Sequence, residues 1–207
     1  LSLEDCLSPQ FYGGIHLPLW RPERDYRTSY SASLSAGGGV LRDLSHEIDL
    51  ALWIFGPWAS LVAHGGHLSE LEIETEDTVC VLFESKRCSK VTMEINYLDR
   101  VPRRSILVHT RLHTYELDMI QGALFCDGKV IQVWTVERNS TYRDQDLAWL
   151  NNDCQILCSF NEGSQVLRMI AAIEQSLERR SWIQNHFILK YFNDIKTVKK
   201  NTLKKTV

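Results

Sequence analysis

The amino-acid sequence predicts an α+β fold: an open, mostly antiparallel β-sheet with helices packed on one face. Three observations predict it. Short β-rich runs succeed one another between residues 78 and 136, joined by turns too brief for the crossovers that parallel strands need. Two segments with helical spacing follow, so strands and helices are segregated along the chain. Another helical segment precedes them, opened by Gly37-Gly38-Gly39 and closed by Gly56.

Taken in order, the first thirty-six residues are irregular in composition. Phe11-Tyr12-Gly13-Gly14 and the X-Pro steps at Pro18 and Pro22 disfavour helix and predict an extended loop lying over the fold. Trp20, Arg21, Arg24, Tyr26 and Arg27 belong to this loop. Either they furnish a binding cleft, or the aromatics pack the loop down while the arginines face water. Residues 37–56 then read as one unbroken helix. Leu44, Ile48, Ala51, Leu52 and Phe55 fall within an arc of roughly 100°, a core stripe. Asp43, His46, Glu47 and Asp49 fall opposite, interleaved with Leu50, Trp53 and Ile54. Four ionisable groups are too costly to desolvate unpaired, and Trp, Leu and Ile are out of place on a solvated face. A half-buried cleft wall satisfies both.

Ala59–Leu68 reads as a short strand and a glycine turn, and Thr78–Glu84 with Cys88–Tyr97 as a hairpin. Val91, Met93 and Ile95 alternate with Thr92, Glu94 and Asn96, giving one buried and one polar face. Ser105–Thr110, Thr114–Met119, Ala123–Cys126 and Lys129–Val136 continue the strands, with turns at Gly122 and Asp127-Gly128. Asp146–Phe160 reads as helix with Leu147, Leu150, Cys154, Leu157 and Cys158 on one side. Asn161-Glu162-Gly163 ends it, and Ser164 caps a second helix with Val166, Ile170, Ile173 and Leu177 at core spacing. Residues 1–185 thus form one α+β domain. Residues 186–207 form a basic tail, either frayed or a short amphipathic helix.

The 207 residues carry 44% hydrophobic and 24% charged residues and a net charge of −3, so no domain-wide positive field recruits nucleic acid. No apolar run is long enough to span a bilayer, and no membrane partner is expected. Six cysteines at spacings that match no zinc template read as reduced thiols, and the expected location is the cytoplasm. The first residue is Leu rather than Met, so a piece of a longer protein is expected.

Several chemistries fail on spacing. His46-Glu47 lacks the second histidine of H-E-x-x-H, because Leu50 stands there. His64 and His67 have no thiolate or carboxylate beside them, and His109 and His113 would lie roughly 13 Å apart on an unbroken strand. No metal is therefore expected. No G-x-S-x-G elbow, G-x-G-x-x-G turn or G-x-x-x-x-G-K-[ST] loop occurs either. Without further information, Asp43 reads as a charge complementing a helix N-terminus and His46 as a polar helix residue bonded to a nearby loop.

The run Gly37–Gly56, G-G-G-x-x-x-D-x-S-H-E-x-D-x-x-x-W-x-x-G, resembles the C-terminal domain of the glucose-fructose oxidoreductase/inositol dehydrogenase/rhizopine-catabolism (Gfo/Idh/MocA) family. Leu17–Ala32, L-P-x-W-R-P-x-x-D-Y-R-x-x-Y-S-A, is similar to the lead-in of a sugar-processing branch, and the closing helix with Ser181-Trp182-Ile183 also fits. The resemblance implies the substrate-binding half of an NAD- or NADP-dependent sugar oxidoreductase. The cofactor and the catalytic lysine of a Glu-Lys-Pro motif would belong to a Rossmann half absent from this sequence, so the chain alone is not expected to turn over. It further implies Asp43 and His46 as catalytic residues, His46 assisting proton transfer, and a homo-oligomer formed through the open sheet. Relatives commonly space this Asp and His four apart rather than three, and Asp49 is the alternative partner for His46. Asp49, Trp20, Arg21, Arg24, Tyr26 and Arg27 are the expected substrate contacts, the arginines pointing to a sugar with an acid or phosphate group. The other readings are a non-catalytic binding or oligomerisation module, and a truncated remnant of such an enzyme.

Overall fold

The structure, a computed structural model, describes residues 5–135, 137, 139–153, 155 and 157–185. The basic tail and Cys154 lie outside the described residues. Nine strands form one sheet in the order β8-β7-β6-β5-β1-β4-β3-β2-β9. In chain order these are β1 (Cys6–Gly14), β2 (Trp58–Gly66), β3 (Thr78–Ser85), β4 (Val91–Asn96), β5 (Arg103–Thr110), β6 (Thr114–Asp118), β7 (Ala123–Cys126), β8 (Lys129–Val133) and β9 (Ile183–Gln184). Every pairing is antiparallel except β1 with β4, where Phe11 stands beside Met93. The expected α+β architecture is the one observed.

The chief departure is β1, which occupies the middle of the sheet where the sequence predicts a surface loop. Pro9 has no N–H to give, which argues against a central strand. The β4 ladder begins only at Gln10, so Pro9 sits where that side of β1 is not yet paired. Gly13 and Gly14 are needed for close approach: a side chain at Gly13 would press on Glu47, and one at Gly14 on Asn96 and Asp99. Likewise Leu17–Trp20 forms a single helical turn, α1, because Pro18 sits in its first turn, where no intrahelical N–H bond is missed.

The predicted helix over 37–56 is two helices, α2 (Val40–Asp43) and α3 (Ser45–Phe55), with a break at Leu44 (φ −100°, ψ 23°). The core stripe holds: Leu44, Ile48, Ala51, Leu52 and Phe55 are all buried. Phe55 meets Phe11 of β1 edge-to-face with centroids 6.1 Å apart, fixing α3 on the sheet. Val79, Val81, Phe83, Val91, Met93 and Ile95 fill the same core, while Cys80, Glu84 and Glu94 alternate onto the open face.

His64, Gly65 and Gly66 belong to β2 rather than to a turn, with Gly65 (φ 154°) lying against the backbone of Thr78. The helix predicted over 146–160 is displaced: α4 spans Ser140–Leu150, and Leu147 and Leu150 face outward. α5 (Phe160–Arg179) begins before the predicted break at 161–163. Ser159 and Glu162 form a capping box, which absorbs Asn161-Glu162-Gly163 into the first turn. Val166, Ile170 and Ile173 are buried as expected. Buried Ser176 ties α5 to the sheet, accepting from Ala63 N–H at 2.9 Å and donating to Ser181 C=O at 2.8 Å.

Candidate functional site

The α2–α3 break sets the candidate site. Gly37 and Gly39 have positive φ, and a side chain at Gly38 would run into the carbonyl oxygen of Tyr30. The three glycines therefore let α2 start hard against Tyr30 and Ser31. Asp43 ends α2 and points its Oδ2 at two hydroxyl donors: Ser31 Oγ and Tyr97 Oη, each at 2.6 Å. Tyr97 is wholly buried at the end of β4, where its N–H donates to Asp77 C=O at 2.8 Å. Burial, reinforced by the neighbouring Asp43 carboxylate, pushes the Tyr97 hydroxyl far above the ordinary tyrosine range, so it stays a neutral donor. The Tyr30 hydroxyl is raised for the same two reasons.

Beside this cluster lies a cavity of about 340 Å³ lined by Trp20, Arg21, Arg24, Tyr26, Tyr30 and Ser31. Four of the expected substrate contacts are in this wall. Trp20 lies 6.4 Å from Tyr97 between centroids, and the Arg21 guanidinium stands 5.8 Å from the Trp20 ring. Arg27 is placed elsewhere: Asp25 and Glu72 hold its guanidinium at 2.9 and 3.0 Å, and it borders a separate depression with Glu74 and His67.

A second cavity of about 810 Å³ opens along α3, lined by His46, Asp49, Trp53, Arg104, Met119 and Glu162 among others. The break thus turns Asp43 onto Ser31 and Tyr97 while His46 lines the second cavity, so the same-face relation expected of a continuous helix does not hold. Asp49 shares the wall with His46, and burial, aided by Glu162, raises its carboxyl above the usual range. The surprise is Glu47, 2% exposed, its Oε1 lying 3.1 Å from His46 Nε2 and 2.6 Å from Arg104 Nε. Arg104 Nε makes no aligned hydrogen bond, so this contact is an ion pair by distance, with the N–H aimed off the line. Tyr97 and Arg104 were not singled out by sequence, Ser31 entered only as a letter of the Leu17–Ala32 run, and Glu47 only as one of four charges on the expected cleft wall. Tyr97, Ser31 and Arg104 reach the helix pair from elements 12 to 57 residues away, beyond any local pattern.

The two cavities offer aromatic faces, hydroxyl donors, carboxylate acceptors and guanidinium groups, a set that suits a polyhydroxylated ligand. A dinucleotide pyrophosphate does not fit the one glycine-rich approach to a helix. There the N–H groups of Val40 and Leu41 are taken by the Glu76 backbone oxygen and carboxylate at 3.2 and 3.0 Å. Among the described residues one cluster has metal-ligand chemistry, His113 with Cys126 and Asp127, remote in sequence from these cavities.

Comparison with known proteins agrees with the fold. Residues 14–116 match the model of the GFO/IDH/MocA C-terminal domain. Comparison with curated proteins by sequence gives no match. Among solved structures, the chain is similar to levoglucosan dehydrogenase in complex with NADH (TM-score 0.73, 16% identity, 86% of this chain and 58% of that one). It is also similar to the WlbA dehydrogenase from Bordetella pertussis in complex with NADH and UDP-GlcNAcA (0.65, 20%, 87% and 55%). A third is GenD2 from gentamicin A biosynthesis in complex with NAD (0.66, 19%, 87% and 56%). At these identities the likeness is one of fold, and the chain spans a little over half the length of each. Residues 14–116 of this chain are a GFO/IDH/MocA C-terminal domain.

Proposed function

We propose that this chain is the substrate-binding half of an NAD- or NADP-dependent oxidoreductase acting on a sugar or sugar derivative. The observation that carries the reading is the pair of cavities, with Asp43 bonded to Ser31 in the wall of one and His46 half exposed in the wall of the other. When bound, a nicotinamide supplies the hydride acceptor. Its dinucleotide would be held mainly by a Rossmann half that the 207 residues do not contain, since the glycine-rich turn present is filled by Glu76. Asp43, fixed by two hydroxyls, is a preset acceptor for sugar hydroxyls. His46 takes or returns a hydroxyl proton at its ring, the general acid–base role open to an imidazole. Glu47 is a positioning residue: buried between His46 and Arg104, it restrains the imidazole and draws the guanidinium into the cavity wall. Trp20, Arg21 and Arg24 provide an apolar face with positive charge at its rim, suited to a sugar bearing an acid or phosphate group. Five free cysteines among the described residues suit a reducing compartment, and we place the protein in the cytoplasm.

Incubation of the chain with NAD⁺ or NADP⁺ and sugars tests the division of labour. The expected result is no reduced cofactor, and turnover by the 207 residues alone would overturn it. A second reading is an oligomerisation module, favoured by edge strand β8, where Val130, Ile131 and Val133 are more than half exposed. Charged substitutions there are expected to change the sedimentation of the chain and leave sugar binding intact.

A further inference from the structure

The distal end of the sheet carries a cluster that the proposed activity does not use. β6 and β7 pair with Tyr115 opposite Cys126, so these two side chains share a face. His113 precedes Tyr115 by two residues and turns its imidazole to the same side. Asp127 follows Cys126 in the turn to β8 with φ 50° and is tied twice to the neighbouring strand. Its N–H donates to Thr114 C=O at 2.8 Å, and its Oδ1 accepts from Thr114 N–H at 2.9 Å. The carboxylate is thereby fixed, with Oδ2 2.7 Å from His113 Nδ1. One nitrogen, one sulfur and one carboxylate oxygen all lie within 4.8 Å of one another.

We infer that His113, Cys126 and Asp127 form a surface site for a zinc-type divalent cation. Imidazole, thiolate and carboxylate together make a borderline-soft donor set, which favours zinc or cobalt over magnesium and calcium, whose ligands are oxygens. With a metal about 2.3 Å from sulfur and about 2.0 Å from nitrogen, tetrahedral ligand atoms lie ~3.5 Å apart. Small rotations of His113, half exposed, and Cys126, partly exposed, close that gap, while the backbone ties hold Asp127 in place. Binding forms the metal–sulfur bond as the thiol releases its proton to solvent, with no electron transferred. Solvent completes the fourth position, as the exposure of His113 and Asp127 allows.

Cobalt(II) titration of the reduced, chelator-treated chain tests the site through thiolate-to-cobalt charge-transfer absorption. One equivalent per chain is expected, with the band lost in Cys126→Ser. His113→Ala or Asp127→Ala is expected to weaken binding at least ~10-fold. A missing band, or one that survives Cys126→Ser, overturns the inference. Independently of any variant, zinc is expected to protect Cys126 of the unmodified chain from alkylation while leaving exposed Cys80 and Cys158 reactive. Equal Cys126 labelling with and without zinc also overturns it.

Discussion

Replacing Tyr97 by Phe removes one oxygen from the centre of the candidate site and little else. The ring is wholly buried, so its apolar contacts are kept and the void left is a hydroxyl's. What is lost is the donor to Asp43 Oδ2 at 2.6 Å. A hydrogen bond to a charged group contributes about 1.5–3 kcal/mol. Asp43 keeps Ser31 as a donor to the same oxygen, so the lower part of that range applies, about 1.5–2 kcal/mol. With a urea slope of about 2 kcal/mol/M, the unfolding midpoint should fall by roughly 0.7–1 M. Urea unfolding followed by far-UV circular dichroism reads this directly, and Asp43→Asn completes a double-mutant cycle. The coupling between Tyr97 and Asp43 should be at least ~1 kcal/mol. A Tyr97→Phe chain within ~0.5 kcal/mol of the parent, or one additive with Asp43→Asn, would refute the cluster.

Three further predictions follow from the same geometry. Gly38→Ala places a methyl against the backbone carbonyl oxygens of Tyr30 and Ser31, which have no rotamer to yield, and should lower stability by at least ~3 kcal/mol in urea unfolding. Burial lifts the Glu76 carboxyl above its usual range, so the folded state holds that proton to higher pH than the unfolded chain does. Stability from this group therefore falls as pH rises above about 4.5, and melting temperatures should show Glu76→Gln gaining on the parent as pH rises above that value. Arg21→Ala with Arg24→Ala should weaken binding of an acidic sugar at least ~10-fold by calorimetry, two charge contacts of about 1 kcal/mol each. Arg27→Ala, already paired with Asp25 and Glu72, should leave it unchanged.

Much of the fold was legible because its strands report locally. Val91, Met93 and Ile95 alternate with polar neighbours, and Leu44 to Phe55 keep a helical period, so both revealed their buried faces without knowledge of their partners. β1 was not legible. Its pairing is with strands about 80 to 100 residues away, and Pro9, Gly13 and Gly14 are breakers unless those partners and Glu47 are already in view. The break at Leu44 was hidden because Val40 through Phe55 carry no proline or internal glycine. α5 could have been placed from Ser159-x-x-Glu162, a cap signature that the later Ser164 obscured. At the site, the motif residues Asp43 and His46 were visible, whereas Tyr97, Ser31 and Arg104 act only through tertiary contacts. His113 and Cys126 were likewise separated by twelve residues in sequence and joined by strand pairing alone.

The most direct test of the central claim is ligand-observed NMR of the 207-residue chain with neutral sugars, sugar acids and nucleotide sugars. The account predicts that at least one gives a saturable signal, lost in both Asp43→Asn and His46→Ala. Absence of any sugar signal, or a signal indifferent to both substitutions, would contradict it.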